Sequence, residues 1–504
     1  MDFISLRPRK IALPKLSWNV GWFMGLGSAS LFVFCSLIAV AVGSLPPIVH
    51  GLNGLLFAIT ALAAASVMIL RGGGLASIAY FLVGTGVFFG FGAFFSVVDT
   101  NSSVYMNTSQ QTIQLPKVNL VNSVSIFIIT AISLAFCYDR NDEFDDDTGL
   151  KSIVSTMKKG MPIILVLGYI CHSVEWLTFP WVTDPIMMSV NGFLMLVPLF
   201  AIFMGGICMH LLSRPEKILV LALAGLYAFE GLLTFMKITT LMPFLTLGIG
   251  LWIGRHYRIG ALLTFGVMCV GYFGVLWFMI PLARGHVNFD MLNNTVVERV
   301  DILSDTVDMV PELHQHMDDY SAFSRLSIAQ FSAHFIENYD QGMPGDTLEH
   351  AMIVVIPRVL WPEKPIIDEG RDIDTAWRDY YEDSNLGIGF PAEAYWNNGW
   401  AGVIFVSIYM GIMMGWFTRR WFKFQKHGWP YLGVFLCGAI IVKIAIWVET
   451  AIVGAFIGGW IKIAFLVLVL DLIARLVIAM IDRLKGQDEI AYELGPLPPG
   501  KPSW

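Results

Sequence analysis

The chain has 504 residues, of which 56% are hydrophobic and 14% charged, and its mean hydropathy is +0.65. Soluble globular chains average about 45–50% apolar and about 25% charged residues, so this composition excludes a soluble multidomain enzyme, a disordered protein and a disulfide scaffold. The formal net charge of −7 is mild, and no nucleic-acid partner is expected from it.

The bilayer, rather than domain size, sets the expected element lengths: a spanning helix needs about 20 mostly apolar residues. Twelve stretches qualify, at 20–43, 51–70, 74–98, 118–138, 161–180, 186–212, 216–236, 238–254, 259–282, 400–418, 429–450 and 452–481. The N-terminus is basic, but the first apolar run shows no clear cleavage site, which predicts a retained helix. Only Lys237-Ile238-Thr239-Thr240 separates the seventh stretch from the eighth. The six cysteines, Cys35, Cys137, Cys171, Cys208, Cys269 and Cys437, all lie within or beside apolar runs. They read as small packing residues, with neither a disulfide framework nor a metal site.

Cytoplasmic loops of membrane proteins carry an excess of Lys and Arg. With the N-terminus inside, the inside segments hold 21 of these residues and the short outside loops hold Lys117 and Lys237. The expectation is therefore an all-α polytopic membrane protein with about 12 transmembrane helices and both termini cytoplasmic. Its organisation would be residues 1–282 for helices one to nine, 283–399 for a large outside loop, 400–486 for helices ten to twelve, and 487–504 for a Pro-rich cytoplasmic tail.

The 117-residue loop carries 21 Asp and Glu against 7 Lys and Arg, and five of the ten histidines. Long loops are translocated largely regardless of charge, so this acidity does not disturb the topology. A structureless loop of that length is uncommon, so folded pieces are expected. Apolar spacing predicts helices over 291–310 and 321–338, and a strongly apolar run over 346–360.

Chemistry concentrates in the same loop. Ile356–Pro365, IPRVLWPEKP, places three prolines, Arg358, Lys364 and Trp361 in ten residues. That suits a rigid extended turn displaying cations beside an aromatic ring. Such cations fit phosphate oxygens, Arg with bidentate geometry. An interfacial aromatic-basic anchor fits the same residues equally well. Glu393–Gly402, EAYWNNGWAG, then runs into the tenth apolar stretch. Asp372 and Asp374 have a D-x-D spacing, but acidic pairs arise by chance in so acidic a loop, and no metal is expected. Ionisable residues inside apolar stretches are functional candidates by default. Here they are Glu175, one turn from His172, and Glu230, Lys443, Glu449, Lys462 and Asp471. Pairing between helices is the alternative role for Lys443, Lys462 and Asp471.

On these residues the chain resembles the Wzy-type oligosaccharide repeat-unit polymerases of bacterial surface polysaccharide synthesis. The resemblance rests on Pro357, Arg358, Trp361, Pro362, Lys364 and Pro365, then on Glu393, Tyr395, Asn398, Gly399 and Gly402. The motif match covers residues 325–402, and helix number and loop position extend it to most of the chain. A weaker correspondence is the turn around Lys237, where the family usually has Arg; Lys keeps the charge and loses the bidentate fork.

The resemblance implies a GT-C-like membrane glycosyltransferase of the bacterial inner membrane that works without a metal or other cofactor. Its donor and acceptor would be undecaprenyl-diphosphate-linked oligosaccharides, with a flippase and a chain-length regulator as partners. It implies Arg358, Lys364, Arg325 and Lys237 for the diphosphates. Glu393 is the first candidate for the general base, with His334 and His350 behind it. Trp361, Tyr395, Asn398 and Glu449 are the glycan-binding candidates. An O-antigen ligase shares the architecture, and a transporter or flippase also fits twelve helices. Against a transporter stand the single large loop and the lack of a visible internal repeat.

Overall fold

The computed structural model describes residues 18–43, 45–72, 74–98, 108–137, 148–178, 194, 196–234, 237–254, 258–271, 279, 296–313, 328–356, 361, 363–364, 373, 375–376, 387–449 and 452–493. Among the described residues there are helices and turns and no strand. Where hydrocarbon replaces water, a helix is the open-chain structure that satisfies its own N–H and C=O groups, and the long apolar runs take that solution.

The helices are α1 (Trp18–Val42), α2 (Pro47–Gly72), α3 (Ser77–Val98, with a π turn at Gly86–Phe91), α4 (Thr108–Cys137), α5 (Thr148–Thr178), α6 (Leu196–Cys208), α7 (Arg214–Leu233), α8 (Lys237–Ile253) and α9 (Arg258–Gly271). The long acidic segment contributes α10 (Val296–Leu313), α11 (Ala329–Asp340) and α12 (Ala351–Val355). The C-terminal part consists of α13 (Phe390–His427), α14 (Leu432–Leu436), α15 (Gly438–Ile446) and α16 (Gly459–Glu493), the last preceded by a π turn at Ile452–Gly458.

Every one of the twelve expected stretches contains a helix. Seven helices of the described residues are long and apolar enough to cross a membrane, or eight if the pair Trp429–Leu436 and Gly438–Ile446, bent by 46°, is one span. Leu196–Cys208, Thr239–Ile253 and Ile259–Met268 are apolar but shorter. The chain is an all-α, multi-pass membrane protein.

The boundaries differ from the sequence expectation in an informative way. α5 starts at Thr148 rather than 161, and α13 starts at Phe390 rather than 400. Hydropathy stops at the first polar residues, whereas backbone hydrogen bonding does not. α13 breaks inside itself at Asn398 (φ −140°, ψ 22°) and Gly399 (φ 57°, ψ −144°). A positive φ is cheap only for glycine. A Cβ at Gly399 would also lie 2.7 Å from the Tyr339 hydroxyl.

α4 and α13 form the central pairing. Lipid tails give apolar side chains no reason to leave them, so close backbone approach and interhelical hydrogen bonds hold such helices together. Gly411 and Gly415, one turn apart, let α13 touch Ile132, Ser133 and Phe136 of α4. The Ser125 and Ser407 hydroxyls meet at 2.6 Å, Ser133 Oγ donates to the Gly411 carbonyl at 3.0 Å, and Cys137 Sγ donates to the Gly415 carbonyl at 3.4 Å. Towards the far end of α13, rings continue the core: Trp421, Phe424, Phe435 and Phe203 contact one another in series.

At the start of α7, Ser213 and Glu216 form a capping box, with Ser213 N donating to Glu216 Oε2 at 2.7 Å. Arg299 of α10 donates to the Leu233 carbonyl at the end of α7, tying the acidic segment to the bundle. Burial draws its guanidinium below the usual arginine range.

Candidate functional site

The candidate site is built where α11, α12 and the start of α13 meet the turn between α15 and α16. Three short pieces of backbone converge there. Gly389 N donates to the Glu449 carbonyl at 3.2 Å, which seats the first turn of α13 on the Trp447–Glu449 turn. The 3₁₀ turn Thr347–His350 leads into α12. α12 packs on the Ile452–Gly458 π turn, where a Cβ on Gly458 would lie only 2.0 Å from Val354 Cγ1.

Glu393 is the hub. Its side chain is fully buried. Oε1 accepts a hydrogen bond from the Thr347 hydroxyl at 2.7 Å, and Oε2 accepts one from the Ile452 backbone N–H at 2.8 Å. The first N–H groups of a helix lack intrahelical partners, so this carboxylate caps the π turn while holding the 3₁₀ turn. Asn397, one turn along α13, completes the network. Its Nδ2 donates to Thr347 Oγ1 and to the Glu393 carbonyl, each at 2.9 Å, and its Oδ1 accepts from Leu348 N at 2.9 Å.

Two further latches hold the chain between α11 and the 3₁₀ turn. Trp396 Nε1 donates to the Met343 carbonyl at 3.2 Å, and Gly345 N donates to the Trp396 carbonyl at 3.0 Å. Tyr395 donates to Asp340 Oδ1 at 3.0 Å, and Lys117 on α4 pairs with Asp340 Oδ2 while its Nζ lies 4.9 Å from the Tyr395 ring. Successive residues of EAYWNN thus take different partners: Glu393 the π turn, Tyr395 α11 and α4, Trp396 the 343–345 turn, and Asn397 the 3₁₀ turn.

Lys364 donates from Nζ to the Val354 and Ile356 carbonyls at 3.1 and 3.0 Å, satisfying the open carbonyls at the end of α12. Its backbone N donates to the Trp361 carbonyl at 3.1 Å, and the Trp361 side chain is exposed. Arg358 and Arg325, two of the expected diphosphate cations, lie outside the described residues. Lys237 opens α8.

The histidines separate by environment. His334 on α11 is half-buried, with Nε2 3.1 Å from Asn338 Nδ2 and its ring edge-on to Phe335. His350 closes the 3₁₀ turn that Thr347 opens, and its Nδ1 is buried with no hydrogen-bond partner among the described residues. Asn398 is exposed beside the break in α13. Glu449 is half-buried, its Oε1 accepting from Trp447 Nε1 at 3.1 Å. Among the described residues no three His, Cys, Asp or Glu side chains gather as a metal ion would require.

The structure therefore brings Glu393, His350, Lys364 and Glu449 into one junction around the start of α13, with Tyr395 and Asn398 along the same helix. Sequence reasoning missed Thr347, Asn397, Asp340 and Lys117. Asn397 was legible in principle, since it stands four residues after Glu393 and so shares its helix face. Thr347 carries no local signal.

Of the intramembrane candidates, Glu230 and Asp471 take partners on other helices. His172 Nδ1 lies 3.2 Å from Glu230 Oε2 on α7, beside the Tyr227 ring. Asp471 pairs with Arg420 and accepts from Gly433 N at 2.7 Å. Lys443 Nζ sits 5.3 Å from the Trp447 ring centroid.

No protein-family model, no curated protein and no solved structure matches this chain. Fold and site define a multi-pass helical membrane protein with a polar junction braced between its late helices.

Proposed function

We propose that the chain is a repeat-unit polymerase acting on undecaprenyl-diphosphate-linked oligosaccharides at the periplasmic face of a bacterial inner membrane. The observation that carries this reading is the Thr347–Glu393–Asn397 network. It joins EAYWNNGWAG directly to the segment that leads into IPRVLWPEKP, the two stretches on which the polymerase resemblance rests.

In this reading an acceptor sugar hydroxyl attacks the anomeric carbon of the donor. The new glycosidic C–O bond forms as the bond to the lipid diphosphate breaks, and the hydroxyl proton passes to a general base. Cations offset the charge that develops on the leaving diphosphate, and Arg358, Arg325 and Lys237 fill that part, with the donor glycan against Trp361 and Asn398; Tyr395 is buried against Asp340 and braces α11 instead.

The geometry redistributes two roles. Both oxygens of Glu393 are engaged in holding backbone and Thr347, so Glu393 serves as a positioning residue. His350 takes the base role, because its Nδ1 lacks a partner among the described residues and a neutral imidazole nitrogen can accept a proton. Lys364 positions the Pro-rich turn through two carbonyls.

The test deletes the gene and complements it with wild type, Arg358→Ala or His350→Gln, reading the surface polysaccharide on a gel. A polymerase leaves a single-repeat band without the long ladder in the deletion, and only wild type restores the ladder. His350→Gln is expected to slow chain extension by about 10²–10⁴-fold, the range for loss of a general base, without moving the unfolding midpoint. Loss of every band, the single repeat included, would point to a flippase, and an unchanged ladder would remove the proposal.

A further inference from the structure

A second polar cluster lies at the other end of α13, unconnected with the chemistry above. The 3₁₀ turn Trp429–Tyr431 follows α13 directly, and cations surround the Tyr431 ring. The guanidinium carbons of Arg420 and Arg475 and the Nζ of Lys423 each lie 5.6 Å from its centroid. The His427 ring is 6.1 Å away. The three cations therefore stand within twice 5.6 Å of one another, although like charges repel.

Their counter-charge is incomplete. Asp471 spends Oδ2 on Arg420 and Oδ1 on the Gly433 N–H. Arg475 Nε reaches the Pro430 carbonyl at 3.4 Å, and Asp471, already paired with Arg420, attracts Arg475 at longer range. Among the described residues neither Lys423 nor Arg475 has an ion-pair partner, and both side chains are exposed. Aromatic faces tolerate a nearby cation, but one ring and one carboxylate do not balance three cations.

The neighbouring surface says what kind of anion fits. Phe465, Leu468 and Leu472 are exposed on α16 at three- and four-residue spacing, which puts them on one helix face. Arg475 follows Leu472 by three residues, so it shares that face, within the last turns of the apolar span Gly459–Met480. A cationic head position with an apolar track running from it towards the middle of the helix matches one amphiphile. We infer that Lys423, Arg475 and Arg420 bind the phosphodiester of an acidic phospholipid, whose acyl chains lie along Leu472, Leu468 and Phe465. The Lys and Arg count places this end of α13 in the cytoplasm, whose leaflet carries the anionic lipids that basic pockets between helices recognise.

The test uses the full chain in neutral detergent, with phosphatidylglycerol, phosphatidylcholine or inorganic phosphate added. It reads the thermal unfolding midpoint and lipid retention by native mass spectrometry. Phosphatidylglycerol is expected to raise the midpoint and remain bound, while phosphatidylcholine and phosphate do neither. Lys423→Gln with Arg475→Gln should weaken phosphatidylglycerol binding by roughly tenfold or more, whereas Lys158→Gln on the exposed part of α5 should leave it unchanged. If the double variant does not fold, Lys423→Gln alone carries the test, since its side chain is exposed and its loss removes one cation. Full retention of the lipid effect in the variant, or an equal effect of phosphatidylcholine, would overturn the site. An equal effect of inorganic phosphate would overturn the lipid as its occupant.

Discussion

Glu393 illustrates how a residue type can be right about importance while its environment decides the role. A carboxylate near the mouth of a membrane helix reads as an acid or base, but here it is fully buried and both oxygens accept hydrogen bonds. Replacing it by Gln turns one acceptor into a donor that faces another donor. Leaving a buried donor unsatisfied costs about 1–3 kcal/mol, so Glu393→Gln should lower the unfolding midpoint measured in detergent. Thr347→Val should cost about 1 kcal/mol for the lost bond. The two losses should add up to less than their sum in the double variant, because they share one interaction. Full additivity would mean that the network is not a unit. Asn397 and Asn398 make the same point: adjacent identical residues face opposite ways, and the buried one does the bracing.

At the scale of elements, α13 organises the molecule. Its first turns hold the candidate site, its middle packs on α4, and its last turns carry the basic cluster. The contact with α4 depends on small residues, since a Cβ at Gly411 would lie 2.8 Å from Ile132 Cβ. Gly411→Leu should therefore push the helices apart and destabilise by about 1–3 kcal/mol, the usual range for overpacking. The same change at Gly225, where a Cβ meets nothing within 4 Å, should be nearly silent. Comparing the two thermal midpoints separates close packing from a generic effect of replacing glycine. Apolar periodicity located α10 and α11, and an apolar run located α12; α11 buries Phe335 and Ile336 and α12 buries Val354, whereas Val297 and Val300 of α10 stay exposed. It placed the start of α13 ten residues late, since EAYWNN is polar in composition and buried only through contacts made elsewhere.

At the scale of the whole molecule, the distribution of Lys and Arg predicts an orientation. The expectation is that Met343, exposed beside the candidate site, faces the periplasm, while Lys158 and Lys423 face the cytoplasm. Single cysteines placed at 343, 158 and 423 in an otherwise cysteine-free chain would be labelled in intact cells by a membrane-impermeant maleimide only at 343. Labelling at 158 or 423 instead would invert the topology and move the candidate site to the cytoplasmic side, which the polymerase reading does not survive.

Composition and hydropathy by themselves determined that this chain is helical and lives in a membrane, because the cost of unsatisfied backbone in hydrocarbon leaves few alternatives. They also located the acidic segment and the two stretches rich in Arg, Lys and aromatic residues. Partnership was decided by tertiary structure alone. Thr347 meets Glu393 across 46 residues, Ser77 meets Thr418 across 341, and His172 on α5 meets Glu230 on α7. Such pairs depend on how helices cross and where a chain re-enters the bundle. Those are properties of packing between distant segments, and local periodicity carries no record of them.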